Sequence, residues 1–577
     1  MWAEHERAHI WDTVAQPWDV IIVGGGITGA GILREATRAG LRALLVEQRD
    51  FAWGTSSRST KLAHGGFRYL ISGQWRVTRD AVRERERLLA EGQGLITPLG
   101  FLVALYSSEG SRRRPYQALL LVYDLLAGQR RLRYYDPAGF QLLAPHLTLA
   151  HLTGGLGYLE ARSDDARVVL RVLQEAIARG ATALNYVTAT KLLSENGAVV
   201  GVELQDGLNG ATATARARVV VNATGIWTDR LRAQIGAAPR MRPSRGSHLV
   251  FAAWRLPVAQ VISFAHPLDR RPVFILPWEG TTLVGTTDHD HRQSLDEEPR
   301  ISPDEVAYLM AAVDAKLPSL GLSLDDVVAS FSGVRPMIDS GADDPATVSR
   351  DYAIWEDQGL VTVTGGKWTI FRLMAQDAME VMRRQLPDIA IPDPSASIFD
   401  PPPQNLDGAL TAAARERLLG RYGAAAPALV AAAQPGELQP IPGTTVLWAE
   451  LRWAARKEAV LHLDDLLLRR VRLGLMLPEG GAALMQAIRA ICQAELGWDD
   501  TRWAVEEHAY HALWRQHYSL PDRDTIPDWR MMTAQAGGES HPANATRGKW
   551  ALGILAGLTL GAGGLLIRQR RAREQTR

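Results

Sequence analysis

Residues 19–47 read DVIIVGGGITGAGILREATRAGLRALLVE, and no other run restricts the fold as tightly. Residues 19–23 are β-branched and apolar, which predicts a buried strand. Gly24-x-Gly26-x-x-Gly29 follows, then a helical stretch to about Ala39, a stop at Gly40, and a second apolar strand ending in Glu47. This is a dinucleotide fingerprint in its full setting of strand, turn, helix, strand and acid. Gly24 permits the turn, Gly26 lets a pyrophosphate approach the backbone, and Gly29 lets the helix pack closely on the strand. The helix N-terminus offers unpaired N–H groups and a partial positive charge to phosphate. Glu47 stands where a carboxylate can take the hydroxyls of an adenosine ribose, which disfavours NADP. The motif does not separate NAD from FAD. A glycine-rich turn in an ordinary α/β domain would not require the acid.

The chain has 577 residues, enough for two or three domains. A formal net charge of +1 gives no electrostatic case for nucleic acid. One cysteine, Cys492, excludes a disulfide framework and a cysteine-based metal cluster, and no metal site is expected. The N-terminal segment lacks an apolar signal-peptide core, which predicts an unexported chain with its catalytic body in the cytoplasm. Seventeen tryptophans favour large buried or membrane-facing surfaces.

After Glu47 the stretch 55–70, TSSRSTKLAHGGFRYL, crowds small hydroxyls and glycines with Lys61, His64, Gly65, Arg68 and Tyr69. Loops of this kind approach a cofactor, although a solvated turn would have a similar composition. Residues 74–91 have a strongly charged helical pattern and are expected to be mostly solvent-facing. Residues 111–135 hold an apolar block flanked by arginines. That pattern suits a helix lying on a membrane surface, or equally a buried helix with solvated ends. Residues 165–179 predict a helix, and a strand through LNYVTATKLL follows. Residues 217–229, ARVVVNATGIWTD, predict a buried strand entering a small-residue turn.

The fingerprint followed by STKLAHGGFRYL resembles the membrane-associated, FAD-dependent glycerol-3-phosphate dehydrogenases, within the D-amino-acid-oxidase-like flavoproteins. The resemblance continues at RGSHLV (245–250), LPWEGTTLVGTTD (276–288), SGVRPM (332–337), SRDYAI (349–354), GGKWT (365–369) and residues 449–474, so it spans about 18–520. It implies an α/β fold in which a Rossmann-type FAD-binding domain is interleaved with a mixed or antiparallel substrate sheet. The FAD-dependent region would be 17–386, with FAD-binding parts at about 17–95, 160–240 and 331–386. The substrate cap would be about 96–159 and 241–330. Residues 404–520, rich in alanine and leucine at helical spacing, predict a helical domain that serves a dimer or braces the cap. A small-residue spacer, 533–549, precedes the uncharged run 550–567, which is just long enough for a membrane helix and C-terminal anchor.

The resemblance also implies the chemistry: oxidation of sn-glycerol 3-phosphate to dihydroxyacetone phosphate, with hydride transfer to FAD and membrane quinone as acceptor. By motif, Gly24, Gly26, Gly29, Glu47, Ser57, Lys61, His64, Gly65, Val187, Ala223, Gly225, Trp227, Gly365 and Gly366 would contact FAD. Arg68, Tyr69, Arg335, Lys367 and Thr369 would bind substrate, since arginine forks suit phosphate oxygens. Arg335 and Lys367 would also stabilise charge, and His64 or His248 would be the base. The chain reads GGKWTIFR where the family commonly has GGKLTTYR, and an unusual His289-Asp290-His291 follows GTTD, which puts substrate identity in question. The alternatives are an amine or amino-acid oxidase of the same fold, or an inactive membrane-anchored scaffold.

Overall fold

The computed structural model describes residues 4–67, 70, 75–109, 113–341, 351–390 and 393–532. Three buried strands, Trp18–Val23, Ala43–Val46 and the second half of Thr212–Asn222, run parallel at the centre of the first sheet. Leu360–Gly365 extends it on one side, capped by antiparallel Tyr352–Asp357, and Thr182–Leu184 extends it on the other. The first half of Thr212–Asn222 leaves this layer and pairs in an antiparallel meander with Ala198–Asp206 and Val187–Glu195. The helix Ile27–Arg38 packs between the helices Asp165–Ala178 and Phe371–Met382 in a single apolar cluster over the sheet.

The second sheet has ten strands, drawn from Leu62–Ala63, Ile96–Tyr106, Arg133–Tyr135, Leu152–Ser163 and the region 244–335. It is antiparallel throughout, except where Val261–Ala265 runs parallel to Ile96–Tyr106. The helix Pro303–Lys316 covers one part of it, started by a capping box from Ser302 and Glu305. The helical region after residue 411 shares a core with this sheet. Leu466, Leu467, Trp503 and Tyr510 belong to one apolar cluster with Val250, Trp278 and Phe331.

Two expectations change in detail. One predicted strand through LNYVTATKLL is two, Thr182–Leu184 and Val187–Glu195, because Tyr186 sits between them at φ +55°. The helix Trp75–Glu91 buries charged residues rather than facing solvent throughout. Glu84 pairs with Arg372, and Arg85 donates to Glu160 at 2.6 Å. Among the described residues no helix is long and apolar enough to cross a membrane. The run 550–567 and the spacer 533–549 lie outside the described residues.

Candidate active site

The central parallel strands end together: Gly24 N–H donates to Val46 O at 2.8 Å, and Ala223 N–H to Val23 O at 2.9 Å. Open α/β sheets bind ligands in the crevice beyond such carboxyl ends. A cavity of about 520 Å³ lies there and reaches across to the second sheet. Gly24 has φ +116°, and a Cβ on it would lie 2.4 Å from Ala223 O. A Cβ on Gly29 would lie 1.9 Å from Gly24 O, so the helix can sit against the turn only with glycine there. Gly26 is the N-cap of Ile27–Arg38 and has no side-chain cap, and Ser56 Oγ accepts from Ile27 N–H at 3.0 Å.

Of the residues expected to meet a cofactor, Gly24, Gly26, Glu47, His64, Val187, Ala223, Gly225, Trp227, Gly365 and Gly366 line the cavity. Gly29 packs beneath the turn. Glu47 accepts from Gly25 N–H at 2.7 Å and Arg49 N–H at 2.9 Å. Burial raises its carboxyl pKa against these two bonds.

Ser57, Lys61 and Gly65 do not line the cavity. The 3-10 turn Thr55–Ser57 points Ser57 inward, where its carbonyl accepts from Arg472 at 2.7 Å, and the lining falls to Ser56 instead. Lys61 is fully buried and its ammonium bonds Asp165 at 2.8 and 2.9 Å. Burial, with the Arg472 charge, lowers its pKa to about 7 against the pull of Asp165. Gly65 packs against the helices, where a Cβ would lie 2.2 Å from Val82.

The expected substrate groups Arg335, Lys367 and Thr369 line the same cavity. Arg68 and Tyr69 lie outside the described residues. Arg335 ends the strand Val327–Arg335 and donates to Asp288 at 3.0 Å and Thr286 Oγ1 at 3.2 Å. Lys367 follows the left-handed Gly365-Gly366 pair and donates to the carbonyl of Gly65, the residue after His64, at 3.4 Å. His248, on Ser244–Ala252, is 2% exposed and stacks on Phe331 at 4.5 Å. Burial, then Arg335 and Lys61, hold it well below the usual histidine range, so the imidazole is neutral. Its Nε2 lies 3.0 Å from Thr60 Oγ1. Sequence reasoning missed Thr60 and Ser56, which differ in nothing visible from their neighbouring hydroxyls. His289 and Asp290 form a short strand against Ser244 and Arg245, and Asp290 pairs with Arg242 at 2.9 Å.

Comparison with known proteins agrees with this architecture. Residues 19–375 match the family model "FAD dependent oxidoreductase", and residues 361–503 match "C-terminal domain of alpha-glycerophosphate oxidase". The chain is 34% identical over 522 residues to glycerol-3-phosphate dehydrogenase 2 of Mycobacterium tuberculosis, covering 85% of this chain and 87% of that protein. It is 37% identical over 382 residues to the aerobic glycerol-3-phosphate dehydrogenase of Bacillus subtilis, covering 65% and 68%. The glycerol-3-phosphate dehydrogenase of Bacillus halodurans, solved with FAD, superposes with a TM-score of 0.70 at 26% identity, over 90% of this chain and 98% of that one. With the turn, the cavity and the cationic wall already in place, these matches make the chain a member of the FAD dependent oxidoreductase family, in its glycerol-3-phosphate dehydrogenase branch.

Proposed function

We propose that the protein oxidises sn-glycerol 3-phosphate to dihydroxyacetone phosphate with bound FAD and hands the electrons to a membrane quinone. The observation that carries this reading is one cavity that joins the Gly24–Gly29 turn to a wall bearing Arg335, Lys367, His64 and Thr369. The residues present fit FAD. The turn leaves backbone bare between Gly24 and Gly26, and Glu47 lines the cavity at the end of the second strand. Gly24, Gly26, Glu47, Val187, Ala223, Gly225, Trp227, Gly365 and Gly366 would hold it. When bound, FAD supplies the two-electron oxidant.

The chain's own residues bind the substrate and manage its proton. Arg335 presents a planar fork and Lys367 a point charge, and together they clamp a dianionic phosphate. Asp288 and Thr286 hold the Arg335 fork in place, so little side-chain entropy is lost when the anion arrives. Thr369, buried in the turn that follows Lys367, adds a hydroxyl, and Arg68 and Tyr69 are assigned to the same clamp. The alcohol proton passes to an imidazole, His64 or His248, both on the cavity wall.

The test is anaerobic mixing of the FAD-loaded protein with glycerol 3-phosphate, sarcosine or D-amino acids. Bleaching of the flavin band by glycerol 3-phosphate alone is expected. No bleaching with it, or bleaching by an amine, overturns the assignment.

The membrane part of the reading rests on a surface. The helix Arg113–Leu126 exposes Tyr116, Leu121 and Leu125, and Leu142 and Leu149 nearby in the chain are exposed as well. Arg113, Arg114, Arg130, Arg131 and Arg133 are exposed beside them. Apolar side chains bordered by arginine suit the interface of an anionic bilayer. There the protein would exchange electrons with a lipid-soluble acceptor.

A further inference from the structure

One hydroxyl and one imidazole on the cavity wall are joined in a way the phosphate clamp does not use. His248 is a neutral imidazole, so it carries one N–H. Its Nδ1 is buried and has no hydrogen-bond partner among the described residues. Its Nε2 lies 3.0 Å from Thr60 Oγ1. A proton on Nδ1 would bury an orphan donor, and buried orphan N–H groups are rare because their desolvation is uncompensated. A proton on Nε2 has Thr60 as its acceptor. The second tautomer is therefore the one this wall selects.

That choice fixes the direction of the Thr60 hydroxyl. Its oxygen accepts from His248, so its own proton must donate elsewhere. Among the described residues Thr60 Oγ1 has no other hydrogen-bond partner, and Thr60 lines the cavity. We infer that Thr60 is a substrate-binding residue, whose hydroxyl is aimed into the cavity by His248 Nε2–H and donates to an oxygen of the anionic substrate. Accepting one hydrogen bond strengthens the donation of the next, so the pair acts as a polarised chain.

The surroundings hold this arrangement. Phe331 stacks on the His248 ring, and Gly285 leaves room for it, since a Cβ there would lie 2.2 Å from the imidazole. Thr60 is fixed by its neighbour: Lys61 sits at φ +61° and is tied to Asp165 and the Ser57 carbonyl. His248 is then a positioning residue, and the substrate proton goes to His64, which lines the cavity and is half-buried. This inference rests on the proposed substrate.

The test uses the FAD-loaded full chain and four variants, each first checked for FAD content and visible spectrum. Thr60→Val is expected to weaken glycerol 3-phosphate binding by about 10- to 100-fold, the usual effect of losing a hydrogen bond to a charged group. Thr60→Ser keeps the hydroxyl and should recover most of that loss. A Thr60→Val/His248→Phe double variant should bind no worse than Thr60→Val, because both act on one donor. Nitrogen NMR of 15N-histidine protein, with the His248 signals identified from the His248→Phe variant, should show the proton on Nε2 without substrate. Thr60→Val with wild-type affinity, a shift in flavin spectrum or FAD affinity in place of substrate affinity, or a proton on Nδ1 would each overturn the inference. If the wild-type flavin is not reduced by glycerol 3-phosphate, the substrate reading falls separately, and the tautomer measurement still decides the direction of the bond.

Discussion

A methyl group at Gly29 would meet the Gly24 carbonyl oxygen at 1.9 Å, so the tightest constraint in the site is a single hydrogen atom. Gly29→Ala must push the helix Ile27–Arg38 off the turn. The expected result is a protein that loses FAD on gel filtration and is less stable by about 1–3 kcal/mol, the usual range for overpacking. FAD content and thermal melting measure both. Arg335 gives the complementary case. Arg335→Ala removes one cation of the proposed clamp and its bond to Asp288, yet alters none of the cofactor-lining glycines. It should keep FAD while substrate affinity falls by about 10- to 100-fold. Titration of the flavin spectrum with glycerol 3-phosphate reads this, and unchanged affinity would remove Arg335 from the clamp. At this scale the sequence is uneven. Gly24, Gly26, Glu47, Arg335 and Lys367 were legible because their spacing follows from backbone geometry or from a motif. Ser57 and Lys61 do not line the cavity, because which residue a 3-10 turn faces inward, and whether an ammonium finds a carboxylate, depends on partners far along the chain, Arg472 for Ser57 and Asp165 for Lys61.

At the scale of elements, the strands and helices around the turn follow from apolar runs and glycine stops, and they appear where the pattern puts them. The charged helix Trp75–Glu91 shows where pattern reading ends. Its arginines and glutamates look solvent-bound in one dimension, yet Glu84 and Arg85 are buried because Arg372 and Glu160 arrive to pair with them. Arg113–Leu126 is the reverse case: an apolar run that could have been core keeps Leu121 and Leu125 at 50% and 57% exposure. Replacing exposed leucines changes stability little, within about 0.5 kcal/mol each. A Leu121→Ser/Leu125→Ser variant should therefore melt like wild type and reduce a soluble dye at the wild-type rate. Its co-sedimentation with vesicles containing anionic lipid should fall, and so should its rate with a quinone embedded in them. Undiminished vesicle binding would free this face from the membrane role.

At the scale of the whole molecule, the helical region is fastened to the cofactor side by buried charge as well as by apolar packing. Arg470 grips both oxygens of Asp50 at 2.7 Å, Arg421 bonds Asp164 at 2.8 Å, and Arg167 bonds Glu458 at 2.6 and 2.9 Å. Asp50 and Asp164 flank the cofactor loop and the helix beneath it, so the two halves should unfold together. Burial by itself would raise both carboxyls. The opposing arginines win and hold each at about 2, against 3.8 for the free group. A depressed pKa contributes stability that is whole above about pH 4 and drains away as pH falls through the folded value. Each of these two carboxylates is worth about 2 kcal/mol on that account. Asp465 has the opposite sign: burial and the neighbouring Asp50 and Asp464 raise it to about 6. Its charged form strains the fold at neutral pH and is relieved as pH falls from 6 towards 4. The protein should therefore hold FAD and its tryptophan fluorescence through pH 5, then lose both in one transition below pH 4. Asp50→Asn should remove part of that acid limb and, by leaving Arg470 and Arg469 short of a counterion, cost about 3–5 kcal/mol at neutral pH. Separate acid transitions for FAD release and for unfolding of the helical region would mean that these buried pairs do not bind the two halves into one cooperative unit.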